Sequence, residues 1–414
     1  MLPAAAPHSP FQAPRDLFTG VSAARFGLYL HFPYCLAKCP YCDFAVAVAR
    51  VVPEERYAAA VLAELELRLQ ARPELRGRAL ESVFLGGGTP SLWHPRYVAR
   101  VLEGLNARLP FAAGLELSLE ANPSVADAER YAGYRAAGVN RLSLGVQSFQ
   151  PETLRALGRD HDAAQAEGAF RAARAARFES VSLDFIYGVH GQSLAQVRAD
   201  AERAAALEPE HLSTYALTVE RELLAEDTPL AKKLARGQLH LPPDETVVDM
   251  AKAVREAYEA RGLARYEISN HARPGHSSRH NALYWTGGEY LALGVGATGM
   301  LHRPGSGGLA GERYLNLRSP EAYLKAVEAG RLPEASREAL GARELFEERF
   351  SLGLRLRGGV LWEPLLRHYG EDPEPRRADV ARLVTHGLAT LEDGRLTLTD
   401  AGADVHSEVC ARLL

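Results

Sequence analysis

Cysteine, methionine and tryptophan are scarce, at four, three and three in 414 residues. So few cysteines in so long a chain exclude a disulfide-framed secreted scaffold. Long hydrophobic runs are missing too. The most apolar window, FAVAVARVV at 44–52, is about half the length of a membrane span and carries Arg50. Charge of one sign is not in excess: 48 Lys and Arg stand against 52 Asp and Glu, a net of −4. That sign is wrong for a protein that lives on a phosphate backbone, so no nucleic-acid partner is expected. Residues 1–24 lack a basic leader region and are broken by prolines, so they read as a tail and not as a signal peptide. The expected location is the cytoplasm, with no transmembrane segment and with cysteines reduced and free to bind metal.

What is present is a repeated alternation. Short apolar runs rich in β-formers occur at 27–32, 80–85, 115–120, 141–146, 180–185 and 211–217, each followed by Gly, Pro, Asn or a polar cluster. Between them lie one-faced helical patterns: Tyr57, Val61, Leu62, Leu65 and Leu69 after Pro53, and Val197, Ala201, Ala204 and Ala205 after Ser193, a predicted N-cap. Six βα units imply an α/β fold with a parallel sheet and right-handed crossovers. A doubly wound sheet and a partial barrel both satisfy the pattern. This places a core domain at 25–220 and an extension at 221–330, which holds a glycine-rich loop at 303–312. A small helical domain at 331–414 ends in a hairpin signalled by Asp393-Gly394. Helices followed by a hairpin suggest a winged-helix-like layout, and the acidic balance speaks against a DNA-reading role.

Three of the four cysteines fall in HFPYCLAKCPYCDF, directly after the first strand. Cys35, Cys39 and Cys42 are spaced C-x3-C-x2-C, three thiolates on one loop. A structural zinc site takes four ligands, and here His31 would have to complete it because Cys410 is remote. An iron–sulfur cluster fits better, with a difference: an electron-transfer cluster is closed by a fourth cysteine. Three ligands leave one iron open to a substrate or cofactor. The role of Cys410 is unassigned.

The strand ends carry the other polar signals. After the Cys loop they present Gly86-Gly87-Gly88-Thr89-Pro90, Glu120, Gln147, Asp184 and Tyr215-Ala216. Ligands gather at such ends in parallel α/β sheets and barrels. The glycines let a polar head approach the backbone. Glu120 and Asp184 suit an ammonium or ribose hydroxyls, and Arg159 suits a carboxylate. Any one of these residues could equally be a turn or cap; their concerted placement favours a shared ligand.

The C-x3-C-x2-C loop after the first strand resembles the signature of the radical S-adenosylmethionine (SAM) superfamily. The resemblance implies a partial (β/α)6 barrel, a 4Fe–4S cluster on Cys35, Cys39 and Cys42, and SAM chelated by the open iron. Cleavage of SAM would also need an electron donor. GGGTPS, EANP, GVNRLSLGVQSF, LDFIYG and YEISNHARPGH are similar to the family of oxygen-independent coproporphyrinogen III oxidases and their relatives. By that resemblance SAM contacts fall on Tyr29, Gly87, Gly88, Thr89, Glu120, Gln147, Arg159, Asp184 and Ala216.

Two features divide that family. The oxidase has a further cysteine two residues beyond the triad, where this chain has Phe44. RHNALYW at 279–285, followed by GVGA, is similar to the haem chaperones of the HemW group, which bind haem as cargo and hand it to haem-accepting proteins. The expected function is therefore that of a haem chaperone, with coproporphyrinogen III oxidation as the alternative. His280 becomes a candidate haem ligand beside its plain reading as a loop-packing residue; Tyr284 and Trp285 read first as packing groups. The chain departs from the family pattern at Val189-His190-Gly191-Gln192, at Thr298, in SSRHN, which lacks an upstream cysteine, and in the lengthened VERELLAEDTPL.

Overall fold

A computed structural model describes residues 25–125, 127–217 and 228–414. The tail expected at 1–24 and most of VERELLAEDTPL lie outside the described residues. Six parallel strands follow the expected order: β1 (Phe26–Phe32), β2 (Leu80–Gly87), β3 (Phe111–Ala121), β4 (Arg141–Gln147), β5 (Ser180–Tyr187) and β6 (His211–Ala216). Helices α1 (Glu54–Ala71), α2 (Pro95–Asn106), α3 (Ala128–Ala136), α4 (Ala163–Ala175) and α5 (Leu194–Ala206) cover the outer face. Ser193 caps α5 in a reciprocal pair with Gln196.

The strands alternate with period two, and both faces are used. Leu117, Leu119, Leu142, Leu144, Val181, Leu183 and Leu212 pack in the apolar core. Their neighbours Ser118, Glu120, Ser143, Ser182, Asp184 and Ser213 take the opposite face. Small polar groups inside and branched apolar groups outside make a barrel wall with a hydrophilic lumen.

The extension is part of the same sheet. After α6 (Asp244–Glu259) come the short strands β7 (Ala264–Arg265) and β8 (Asn270–Ala272); β8 adds antiparallel to β6, and β7 antiparallel to β8. The LARYEIS strand signal thus shrinks to two residues. Helix α7 (Arg279–Trp285) then leads into β9 (Glu289–Gly294), which returns to pair in parallel with β1. Strands β10 (Thr298–His302), β11 (Gly311–Asn316) and β12 (Glu334–Leu340) follow antiparallel, giving the order β12-β11-β10-β9-β1-β2-β3-β4-β5-β6-β8-β7. The glycine-rich segment 303–312 supplies the β10–β11 hairpin connection, 303–310, and the first two residues of β11. Strand β12, inside the segment expected to open the small domain at 331, belongs to the large sheet; the helices and three-stranded sheet follow after Leu340.

That domain has its own core around Phe346, Phe350, Leu354, Trp362 and Leu366. It consists of α8 (Ala342–Leu354), helices Trp362–His368 and Arg377–Thr385, and a three-stranded sheet with a hairpin over 389–398. Asp393 and Gly394 both have positive φ, 50° and 75°, as the predicted two-residue turn requires. No helix among the described residues is long and apolar enough to cross a membrane.

Candidate functional site

A cavity of about 510 Å³ opens at the carboxyl ends of the six strands. The structure brings together around it Cys35, Cys39, Cys42, Gly87, Gly88, Thr89, Glu120, Gln147, Arg159, Asp184 and Ala216. Two of the sequence-predicted residues are not in that wall: Tyr29 and His280.

The cysteine loop is held from several sides. Tyr34–Cys35 pairs in parallel with Ala47–Val48, and the Thr89 N–H donates to the Tyr34 carbonyl at 3.0 Å. The Gly88 N–H donates to the Phe32 carbonyl at 2.7 Å, and a Cβ on Gly88 would strike the Phe32 and Tyr34 carbonyls. Glycine is therefore required there by the close approach of two backbones. At Gly87, with φ +112°, a side chain would enter the His31 ring. The Ala45 carbonyl can only accept, so His31 donates from Nε2 at 3.0 Å and its Nδ1 accepts from the Tyr29 hydroxyl, also at 3.0 Å. Burial lowers the His31 pKa to about 4, which keeps the ring neutral under the loop.

Side chains from outside the loop touch the thiols. Thr89 Oγ1 donates to Cys35 Sγ at 3.4 Å, and Arg159 Nη1 donates to Cys39 Sγ at 3.4 Å. Burial raises the Cys35 and Cys42 pKa values, and the Thr89 bond to Cys35 and the Phe44 N–H at Cys42 oppose that shift. No three His, Cys, Asp or Glu side chains among the described residues are set for a single ion. Three thiols on one loop, open towards a cavity and already facing donors, suit a cluster in which each sulfur takes a separate iron.

Arg159 was expected to grip a carboxylate with both arms of its fork. The structure gives its terminal nitrogens other work: Nη2 donates to Asn122 Oδ1 at 3.0 Å and to the Gly145 carbonyl at 3.1 Å, while Nη1 holds Cys39. Only Nε is buried without a partner. Arg159 braces the cluster loop against two strand ends and keeps one donor in reserve. Asn122, from the EANP motif, and Tyr41, from the cysteine loop, line the same cavity and were missed as site residues; an amide in so polar a strand-end motif was the signal to follow.

Opposite the loop, Glu120 accepts from the Gly87 N–H at 3.0 Å. Burial, reinforced by nearby Asp184, raises its pKa to about 8. Asp184 is raised by burial although Ser143 and Ser182 donate to it at 2.7 and 3.1 Å. A pair of carboxylates in one wall is short of positive charge, which a ligand ammonium would supply. Gln147 adopts φ +67° on the cavity rim, a left-handed conformation rare for a side chain of this type.

Tyr29 lies one layer deeper, stacked on Phe84 at 6.2 Å, its hydroxyl spent on His31. His280 lies deeper still. It is 1% exposed; Nδ1 meets the Ser82 hydroxyl at 2.9 Å and Nε2 the Tyr284 hydroxyl at 2.8 Å. The ring stacks on Phe84 at 5.2 Å, and burial lowers its pKa to about 3. Its helix, α7, is pinned inside the amino end of the barrel. The Glu116 carboxylate of β3 accepts from the Arg279 and His280 N–H groups at 3.0 and 2.9 Å. With both ring nitrogens hydrogen-bonded in a closed interior, His280 plugs the barrel.

Comparisons agree with this arrangement. The Radical SAM superfamily matches residues 29–204, and the HemN C-terminal domain matches residues 340–405. A Mycobacterium tuberculosis protein named Heme chaperone HemW is 36% identical over 408 residues, covering 97% of this chain and 99% of its own length. The Escherichia coli protein of the same name is 36% identical over 321 residues, 77% of this chain and 80% of that one. In Mus musculus, the mitochondrial radical S-adenosyl methionine domain-containing protein 1 is 34% identical, over 95% of this chain and 88% of its own. Among solved structures, coproporphyrinogen III oxidase (HemN) from Escherichia coli superposes with a TM-score of 0.76 at 21% identity, over 95% of this chain and 91% of that one, a likeness of fold. Nearly complete coverage at such identity places the chain plainly: it belongs to the HemW family of haem chaperones, within the radical SAM superfamily.

Proposed function

We propose that this protein binds haem and transfers it to haem proteins, using a radical-SAM core that carries a 4Fe–4S cluster. The observation that carries the reading is the whole-length likeness to proteins named Heme chaperone HemW, which continues through the C-terminal domain. Phe44 supports it, standing 60% exposed where the oxidase has its additional cysteine.

In this reading Cys35, Cys39 and Cys42 hold the cluster. SAM lies in the cavity, its ammonium towards Glu120 and the backbone of Gly87, Gly88 and Thr89. Gln147, Asp184 and Ala216 line the remaining wall, and Tyr29 orients His31 beneath. When bound, the cluster supplies an open iron and one electron. The chain's own part is to keep the thiols together, through Thr89 and Arg159, and to present carboxylates to a cationic ligand.

Anaerobic reconstitution followed by two parallel assays tests the proposal. Haem should be taken up stoichiometrically and should pass to an apo-haem protein. Coproporphyrinogen III supplied with SAM and a reductant should remain unchanged. Decarboxylation of its two propionates would establish the oxidase alternative instead.

A further inference from the structure

A second cavity, of about 310 Å³, lies away from the cluster, where β9 and β10 meet α8 of the C-terminal domain. Aromatic and apolar side chains make about half of its wall, with Tyr284, Tyr290, Met300 and Tyr369 among them. Three charged residues line it: Arg313, Glu348 and Arg349. Arg313 is matched, donating to Glu348 at 2.5 Å and to Glu338 at 3.0 Å. Arg349 is not. It is 7% exposed, no carboxylate among the described residues forms an ion pair with it, and its Nε has no hydrogen-bond partner. The partner in reach is the neutral Tyr369 hydroxyl.

Burying a guanidinium without a counter-ion is costly. Here burial lowers its pKa from the ordinary value, the direction expected of an uncompensated cation. A second orphan stands beside it: His302 turns Nε2 to the Gly287 carbonyl at 3.3 Å and leaves Nδ1 buried without a partner. Two guanidiniums, one carboxylate and an imidazole thus line a space at the small end of the range for ligand pockets, and of these only Arg349 offers a donor without an anionic partner. A guanidinium fork matches a carboxylate, and aromatic walls match an apolar body attached to it.

We propose that this cavity is a binding site for a carboxylate carried on an apolar or aromatic body, with Arg349 as its counter-ion. A propionate arm of haem and a free aromatic carboxylate share that chemistry. The site itself does not rest on the haem reading; only the identity of the occupant does.

The test uses the full-length, cluster-reconstituted protein with two acid–neutral pairs: 3-phenylpropionate against its amide, and haem against its dimethyl ester. Calorimetry should show the wild-type protein preferring phenylpropionate by roughly tenfold or more. Arg349→Gln should erase the preference and Arg349→Lys should keep part of it. The same preference for haem over its ester, erased by Arg349→Gln, identifies the occupant as a propionate. Haem and ester binding alike, with the phenylpropionate preference intact, identifies a free carboxylate. Failure of haem to bind at all overturns the haem reading and leaves the phenylpropionate result to judge the site. Equal binding within both pairs overturns the site, as does an Arg349→Gln protein indistinguishable from wild type. Should Arg349→Gln not fold, the wild-type pairs and Arg349→Lys decide.

Discussion

The two ends of one barrel lumen use similar residues to opposite ends. At the carboxyl end Glu120 and Asp184 line a cavity, hydrogen-bonded but in no ion pair among the described residues, and the Arg159 Nε is buried without a partner. At the amino end Glu116, Ser82 and His280 are as polar and more deeply buried, yet each is paired, and α7 fills the space. The composition of a wall therefore does not say whether it binds a ligand. What distinguishes the ends is whether a neighbouring element of the same chain has already supplied the complementary group.

The sharpest way to break the comparison is at the thiols. Alanine at Cys35, Cys39 or Cys42 should each abolish iron binding and the brown absorbance of the reconstituted protein. Cys410→Ala should leave both, because Cys410 is buried in the C-terminal core beside His406. Colour surviving any triad substitution would remove the cluster from this loop.

Next in size is the plug. His280→Ala strips the partner from two buried hydroxyls and opens a hole beneath Tyr29, an expected loss of about 2–4 kcal/mol by chemical denaturation. The Soret band of bound haem should be unaltered in position. A shifted band would make His280 an iron ligand.

The ends should also titrate in opposite directions. His280 folds neutral with its pKa near 3, below its unfolded value of 6.5, so its contribution is present above pH 6.5 and fades as pH falls towards 3. Glu120 has its pKa raised from 4.5 to about 8, so the folded state holds an extra proton between those values. Stability should therefore fall as pH rises from 4.5 to 8 and level off above. Glu120→Gln should flatten that alkaline decline in the ligand-free protein while weakening SAM binding. An unchanged pH–melting profile in the variant would show that Glu120 is ionised throughout. Smallest of all, Phe44→Ser should alter stability by no more than about 0.5 kcal/mol, since the ring is largely solvated.

Much of this architecture is legible in the residues. Six strands and their helices announce themselves by period, and three cysteines on one loop point to the cavity. Less visible was anything that depends on residues far apart. Glu64 and Arg68 sit on α1 at positions that look solvent-facing, yet both are buried. Arg68 donates to Glu64 and to Asn316 of β11, and Tyr323 donates to Glu64. Charge on a helix face reads as exposure until a distant strand covers it. The HNALYW segment hides its contacts for the same reason: the bonds from its histidine to Ser82 and Tyr284 cannot be read from the sequence. The return of β9 to the side of β1 has no local signature, because a parallel partner across so many residues is chosen by the sheet and not by a turn.

That return has a consequence in time. Strand β1 leads directly into the cysteine loop, and one of its two edges is covered only by β9, with Leu28 opposite Leu291 and Leu30 opposite Leu293. During synthesis, all three cysteines of the loop leave the ribosome long before Glu289–Gly294 exists. Until then the strand beneath them keeps a bare row of amide and carbonyl groups, an invitation to mispairing. A chain interrupted at the end of the barrel would own every thiol the cluster needs and still lack half the support of the strand that presents them.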